Sequence, residues 1–169
     1  PVSEAEEFAQ RSIYRYVDIL AVNMEEAQAA AGSRSEGREL LLELSKLLCS
    51  LNPHLAILMT CGKDGAYTFA GQTAEKVPPL LCSALNTTGA GDAFLGGTLA
   101  GLARGMKLQK GCEDRNFGES ELKSAPELGT ICAGMAVECE DSIAFHVGPE
   151  TIRKMIQNRG WKADVRFAG

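Results

Sequence analysis

The sequence predicts an α/β fold, a mainly parallel sheet flanked by helices. Three observations carry that expectation. Two short apolar runs, Val17–Val22 and Leu55–Thr60, read as buried strands. Longer stretches with apolar residues at helical spacing lie between and after them. Turn residues mark the changes of pattern, as at Gly32, Asp64-Gly65 and Gly71-Gln72. Strands alternating with helices make a sheet with helices packed on it.

Residues 3–16 read as a first helix. Ser3 can cap it, Glu4, Glu6 and Glu7 suit its first turn, and Ala5, Phe8, Ala9, Ser12 and Tyr16 trace a face. The strand Val17–Val22 follows. Asn23 then caps a helix to about Ala31, stopped by Gly32. Ser35–Leu48 is a further helix, with Leu40, Leu41, Leu44, Leu47 and Leu48 on one side. After the strand Leu55–Thr60, Asp64-Gly65 turns the chain into Ala66–Ala70, and Gly71-Gln72 turns it into Glu75–Val77. That is a small antiparallel excursion. Helices dominate the second half: Asp92 to about Arg104, residues 125–139, and residues 149–158 with Pro149 near the start. Lys110–Lys123 is charged and glycine-containing and reads as an exposed loop. No internal repeat or low-complexity tract is present.

Composition narrows the function classes. The chain has 169 residues, the size of one domain or part of one. Its 17 Lys+Arg against 22 Asp+Glu give a net charge of −5. An acidic chain without a basic run argues against nucleic-acid binding and against a membrane-surface patch. No apolar stretch approaches the roughly 18–20 residues that a bilayer span needs. The acidic segment Pro1–Glu7 lacks the apolar run of a signal peptide, so a cytoplasmic location is expected. Cys49, Cys61, Cys82, Cys112, Cys132 and Cys139 form no C-x-x-C pair, and His54 and His146 lie far apart. That spacing does not make a zinc site, and buried free thiols are expected rather than a disulfide. Lys63, Lys107, His146 and Trp161 in the tail Arg159–Arg166 take ordinary structural readings.

The densest chemical signal is Asn86-Thr87-Thr88-Gly89-Ala90-Gly91-Asp92, directly before an amphipathic helix. Small residues at 89–91 let backbone N–H groups approach an anion, and the helix N-terminus behind them adds partial positive charge. Such a loop binds phosphate. A carboxylate beside a phosphate makes sense if it must take a proton from an attacking hydroxyl. The alternative is a glycine-rich turn with Asp92 as a helix cap. A Rossmann-type oxidoreductase is disfavoured, because no G-x-G-x-x-G follows a first strand.

Residues 86–97, NTTGAGDAFLGG, resemble the D-T-x-G-A-G-D signature of the ribokinase-like (PfkB) carbohydrate and nucleoside kinases. Two further motifs follow the family's order. Asn23-Met24-Glu25-Glu26 resembles N-x-x-E after a strand, and Thr60-Cys61-Gly62-Lys63-Asp64-Gly65 resembles T-x-G-x-x-G after the next strand. The resemblance covers about residues 10–158. It implies that residues 1–169 form the nucleotide-binding and catalytic C-terminal portion of such a kinase, apparently without the N-terminal half.

The resemblance also implies roles. Asp92 is the catalytic base, and the backbone amides of Gly89, Ala90 and Gly91 are the anion hole. Glu26, with Asn23, organises Mg2+, its waters and the ATP phosphates. Thr60, Gly62 and Thr88 are nucleotide contacts, and Thr130, Ala133 and Gly134 lie on a helix near the adenine. For each there is a bland reading: an exposed helical glutamate, a strand ending in a turn, or small residues that let helices pack. The substrate class implied is a sugar or nucleoside. The competing class is a nucleotide-binding or interaction module without turnover.

Two departures stand out. The family's first aspartate in the signature, which helps form a monovalent-cation site in many members, is Asn86 here, and Glu138–Ala144 lacks a glycine often found there. Both put potassium activation in question. Asn86 and the polar turn Glu138–Ser142 leading to His146-Val147-Gly148-Pro149 are similar to the pseudouridine-kinase branch. The second departure is length, since family members run to about twice this size. The resemblance therefore implies an uncovered sheet edge, filled by a missing N-terminal half or by a partner chain such as a second copy, and a 169-residue chain that is inactive alone.

Overall fold

The computed structural model describes residues 13–109, 122–140 and 146–158. Its strands are β1 (Ile19–Asn23), β2 (Ala56–Thr60), β3 (Ala66–Ala70) and β4 (Thr73–Val77). Its helices are α1 (Met24–Ala31), α2 (Gly37–Cys49), α3 (Ala90–Ala103), α4 (Ala125–Val137) and α5 (Pro149–Asn158). The chain divides into two compact units, Pro1–Lys76 and Val77–Gly169.

The first unit is built on a sheet in the order β1-β2-β3-β4. β1 and β2 run parallel, from Ile19 opposite Ala56 to Asn23 opposite Thr60. Parallel neighbours need a crossover, and α1 and α2 supply it. Asn23 caps α1, and Gly32 ends it in the left-handed conformation with φ 59°. On α2, Leu40, Leu41, Leu44 and Leu48 form a buried stripe that packs with Ile57, Met59 and Phe69 of the sheet. Burying each such side chain contributes roughly 1.5–3 kcal/mol. β2 is buried along nearly all its length, which is why it reads as a continuous apolar run.

The Asn52 side chain donates to the carbonyls of Tyr14 and Val17, at 3.0 and 2.9 Å, and ties the entry of β1 to the approach of β2. The antiparallel excursion forms as the sequence predicts. β3 pairs antiparallel with β2, and Gly71 and Gln72 both take positive φ, 55° and 70°, in the two-residue turn to β4.

The α/β class therefore holds, but the sheet is mixed rather than mainly parallel. Among the described residues its one parallel pair is β1–β2, because the chain folds back through β3 and β4 where a parallel sheet would cross over again. Among the described residues β1 is paired on one side only. The helix expected over 3–16 is, at Ile13–Tyr16, a single 3-10 turn. Residues 3–12 lie outside the described residues, as do 110–121 of the expected loop, Cys112, 141–145 and the tail from 159. β1 starts at Ile19 rather than Val17.

The second unit packs α3 directly on α4. A Cβ on Gly97 would lie 2.7 Å from Cys132 Sγ and 2.9 Å from the Gly129 backbone, so only glycine allows this approach. α4 is buried around most of its circumference, which explains its weak amphipathic pattern. It opens on a capping box: Glu127 Oε2 accepts the N–H groups of Ser124 and Lys123, each at 2.8 Å. α5 presents Ile152 and Ile156 to the core of this unit. Leu81, Leu85 and Leu99 stay exposed, at 82%, 66% and 49%. Cys49, Cys61, Cys132 and Cys139 are free thiols. No helix among the described residues is long and apolar enough to cross a membrane.

Candidate active site

The first unit brings two of the sequence motifs to one edge. Asn23 and Thr60 are the last residues of β1 and β2 and stand opposite each other in register. The N-x-x-E motif is a reciprocal cap of α1. Asn23 Oδ1 accepts the Glu26 N–H at 2.8 Å, and Glu26 Oε2 accepts the Asn23 N–H at 2.9 Å. This leaves Glu26 Oε1 without a hydrogen bond among the described residues. After β2, Gly62 opens the short 3-10 turn Gly62–Asp64 with φ 55°, a conformation that L side chains rarely adopt. Its surroundings are open, so backbone conformation rather than close packing calls for glycine there.

In the second unit the helix behind the glycine-rich turn begins earlier than the sequence suggests. α3 starts at Ala90, and its N-cap is Gly89, left-handed at φ 79°. Asp92 is therefore not the cap; it is the third residue of the helix, with an exposed side chain. The cap reading fails because a left-handed glycine turns the chain into the helix three residues earlier than a carboxylate cap at Asp92 would. The Ala90 N–H is engaged by Thr87 O at 3.3 Å, and the Ala93 N–H by Gly89 O at 2.9 Å. The N–H groups of Gly89, Gly91 and Asp92 have no acceptor among the described residues. They are the first-turn donors that a helix leaves unsatisfied, where its dipole favours negative charge.

Asn86 holds this turn. Its Oδ1 accepts the Thr88 N–H at 2.9 Å, and its Nδ2 donates to Glu140 O at 3.0 Å. Main-chain bonds from Leu85 and Asn86 to Val137 O, at 2.7 and 3.2 Å, run alongside. The sequence shows Asn86 only as a departure from a motif. Its reach across 54 residues carries no local signal, although Asn followed by Thr-Thr-Gly is a recognisable side-chain turn.

Within the same unit, a cleft of about 470 Å³ opens between α3, α4 and the segment leading into α5. Gly89 and Asp92 lie at one end, Arg104 lines it just past the end of α3, and Gly96, Ala100 and Cys132 form wall. The volume is that of a small-molecule site. Arg104 Nη1 donates to Ala100 O at 3.1 Å; nothing in the sequence singles this residue out. Burial pushes the Cys132 thiol up to about 11, so it is an inert wall rather than a nucleophile.

The residues expected near an adenine are placed as packing elements on α4. The buried Thr130 hydroxyl donates to Pro126 O at 3.1 Å. Gly134 is closely covered by Leu80, and Ala133 is half-buried. Thr88 is exposed. Among the described residues no three His, Cys, Asp or Glu side chains gather as a metal cage. Glu26 offers one free carboxylate oxygen, a donor set that suits a cation retaining most of its water, as magnesium does.

Comparison with known proteins gives a family and a fold. Residues 2–145 match the family described as pfkB family carbohydrate kinase. The ATP-dependent 6-phosphofructokinase of Thermoanaerobacterium thermosaccharolyticum is 34% identical over 103 residues, 61% of this chain and 30% of that protein. Aminoimidazole riboside kinase of Salmonella enterica, solved with aminoimidazole riboside and an ATP analog, superposes with TM-score 0.63 at 23% identity, over 92% of this chain and 47% of its own. A fructokinase double mutant of Vibrio cholerae, solved with fructose, ADP and potassium ion, superposes with TM-score 0.67 at 19% identity, over 90% and 44%. The chain thus spans less than half the length of these relatives.

Proposed function

The chain belongs to the pfkB family of carbohydrate kinases, and on that premise we propose that it carries the nucleotide-binding and phosphoryl-transfer part of an ATP-dependent kinase acting on a sugar or nucleoside hydroxyl. The observation that carries the reading is the start of α3. Three backbone N–H groups without acceptors among the described residues, those of Gly89, Gly91 and Asp92, stand beside one exposed carboxylate. The free donors suit an anion, and the carboxylate suits a proton acceptor.

In this reading Asp92 takes the proton from the acceptor hydroxyl as it attacks the γ-phosphate in line. The amides at the start of α3 hold the charge that develops on the transferring group, and no covalent enzyme intermediate forms. Glu26 is the residue that would hold magnesium, through the oxygen its cap leaves free; the ion would neutralise phosphate charge. Asn23 fixes that carboxylate, and Thr60 and Gly62 are assigned to the nucleotide. Thr88 keeps an exposed hydroxyl for a phosphate at the start of α3, while Thr130, Ala133 and Gly134 belong to α4 of the same unit.

A monovalent cation does not fit. At the place where the family resemblance implies one, Asn86 presents an N–H donor to the Glu140 carbonyl. Pseudouridine is the candidate acceptor within the nucleoside class, on the strength of Asn86 and the turn after α4. A reading without turnover draws on the coverage of less than half of each relative, and it differs in outcome. A binding module would take up Mg·ADP but give no catalysis in any assembled form.

The test is calorimetric. The 169-residue chain should bind Mg·ADP weakly, and Gly91→Val, which blocks close approach to the free amides, should weaken it further. An absence of binding at millimolar nucleotide contradicts the reading. Phosphorylation by the chain alone should be negligible, because positioning the acceptor supplies about 7–11 kcal/mol of barrier reduction in such reactions.

A further inference from the structure

The half-buried side chain of Asn86 serves two main-chain partners at once. Its Oδ1 accepts the Thr88 N–H at 2.9 Å, and its Nδ2 donates to the Glu140 carbonyl at 3.0 Å. One partner can only donate and the other can only accept, so the orientation of the amide is fixed by them. Residues 85 and 86 are also bonded through their N–H groups to Val137 O. The strip 85–88 is thereby fastened to the loop beyond α4, and it runs directly into Gly89 and the free donors of α3.

An aspartate at 86 could keep the Thr88 bond. Its second oxygen would then stand where Nδ2 stands, about 3 Å from a carbonyl oxygen. Two acceptors at that distance repel each other, and a cation between them is what relieves the repulsion. Asparagine needs none, because the amide carries its own positive end.

We propose that Asn86 is a positioning residue whose amide takes the place of a monovalent cation, so that the anion-binding turn keeps its shape without one. The proposal rests on the reading of 86–91 as the phosphate-binding turn.

The experiment compares the chain with Asn86→Asp in potassium chloride, sodium chloride and choline chloride at equal ionic strength. Melting temperature and Mg·ADP affinity are measured for both proteins. The wild-type chain should give the same values in all three salts. Asn86→Asp should bind Mg·ADP about 3–10-fold more weakly in choline chloride, the worth of one net hydrogen bond. Potassium or sodium should restore most of that loss and raise the melting temperature of the variant alone. A merely structural role predicts a loss that no cation rescues, and that result overturns the proposal. So does a wild-type chain whose affinity or melting temperature rises markedly in potassium.

If neither protein binds Mg·ADP, the phosphate-turn reading fails, and the melting temperatures still decide whether Asn86 replaces a cation. Asn86→Ser, which loses the bridge without adding charge, should be weakened equally in every salt. If Asn86→Asp does not fold in choline chloride, its folding in potassium chloride supports the proposal and its failure there overturns it.

Discussion

Asn23 and Thr60 end adjacent parallel strands and are partners in register, so the first residues of two separate motifs lie side by side at the carboxyl edge of the sheet. In α/β sheets that edge is where ligands bind, because the turns leaving it lead into helix N-termini. Here the turn after Asn23 leads into α1, and the cap that starts α1 is built from the same Asn23 and Glu26. One pair of side chains thus has a structural duty and, in the proposed function, a ligand-binding one.

The two duties of Glu26 separate by substitution. Glu26→Gln keeps an oxygen to accept the Asn23 N–H, so stability should stay within about 0.5 kcal/mol of wild type. It removes the charge, so the magnesium-dependent part of ADP affinity should fall about 10–100-fold. Glu26→Ala should lose both, with about 1 kcal/mol of stability gone as well. Chemical denaturation and ADP titration with and without magnesium read the two effects apart. A Glu26→Gln protein with unchanged magnesium dependence would leave the motif as a helix cap only.

Neighbouring glycines on α3 should respond in opposite directions. A methyl group on Gly96 would meet nothing within 4 Å, whereas one on Gly97 would face Cys132 and the Gly129 backbone at 2.7 and 2.9 Å. Gly96→Ala should stabilise by about 0.5–1 kcal/mol through helix propensity. Gly97→Ala should destabilise by about 1–3 kcal/mol, because α3 and α4 must part. Urea unfolding of both variants checks the sign. Equal effects at the two positions would mean that the helices are not in close contact.

Much of this fold is legible in the sequence. Asn23 and Gly32 bracket α1, Gly71-Gln72 makes the hairpin turn, and Leu40, Leu41, Leu44 and Leu48 mark the buried side of α2, because each is a local or periodic signal; Leu47, expected on that side, is 45% exposed. The pairing of the sheet is not local: β2 accepts a parallel neighbour on one side and an antiparallel one on the other, and its continuous apolar run is compatible with either. The sequence points to Asp92 as the start of α3, two residues late, because Gly89 has no side chain to cap with and turns the chain through its left-handed backbone. In the proposed function the 86–92 turn holds an anion, and its small residues are the sequence signal for that role. The Asn86–Glu140 bridge is not, since its partner is a main-chain carbonyl 54 residues away that any residue type could supply.

Cys132 gives a pH dependence with a defined sign. Burial raises its thiol from 9.0 to about 11, so the folded chain holds the proton more tightly than the unfolded one. Its contribution to stability is complete below pH 9 and declines from there to about pH 11, by up to roughly 3 kcal/mol. The difference in unfolding free energy between wild type and Cys132→Ala should shrink over that window and be flat below it. Labelling by iodoacetamide at about pH 8, below the ordinary thiol range, should spare Cys132 in the folded chain. Rapid labelling there without unfolding would show that the wall of the cleft is open.

The central claim is that Asp92 accepts a proton, and Asp92→Asn in the catalytically active enzyme tests it most directly. The substitution keeps the shape of the side chain, and because Gly89 caps α3 the helix start does not depend on it. Removing a negative charge from the first turn of α3 should lower stability by about 0.3–1 kcal/mol. Turnover at saturating ATP and acceptor should drop by about 10²–10⁴-fold. Affinity for ADP should hold or improve slightly, because one negative charge near the phosphates disappears. Turnover near that of the wild type would contradict the account and leave residues 86–92 as a phosphate-binding turn without a catalytic base.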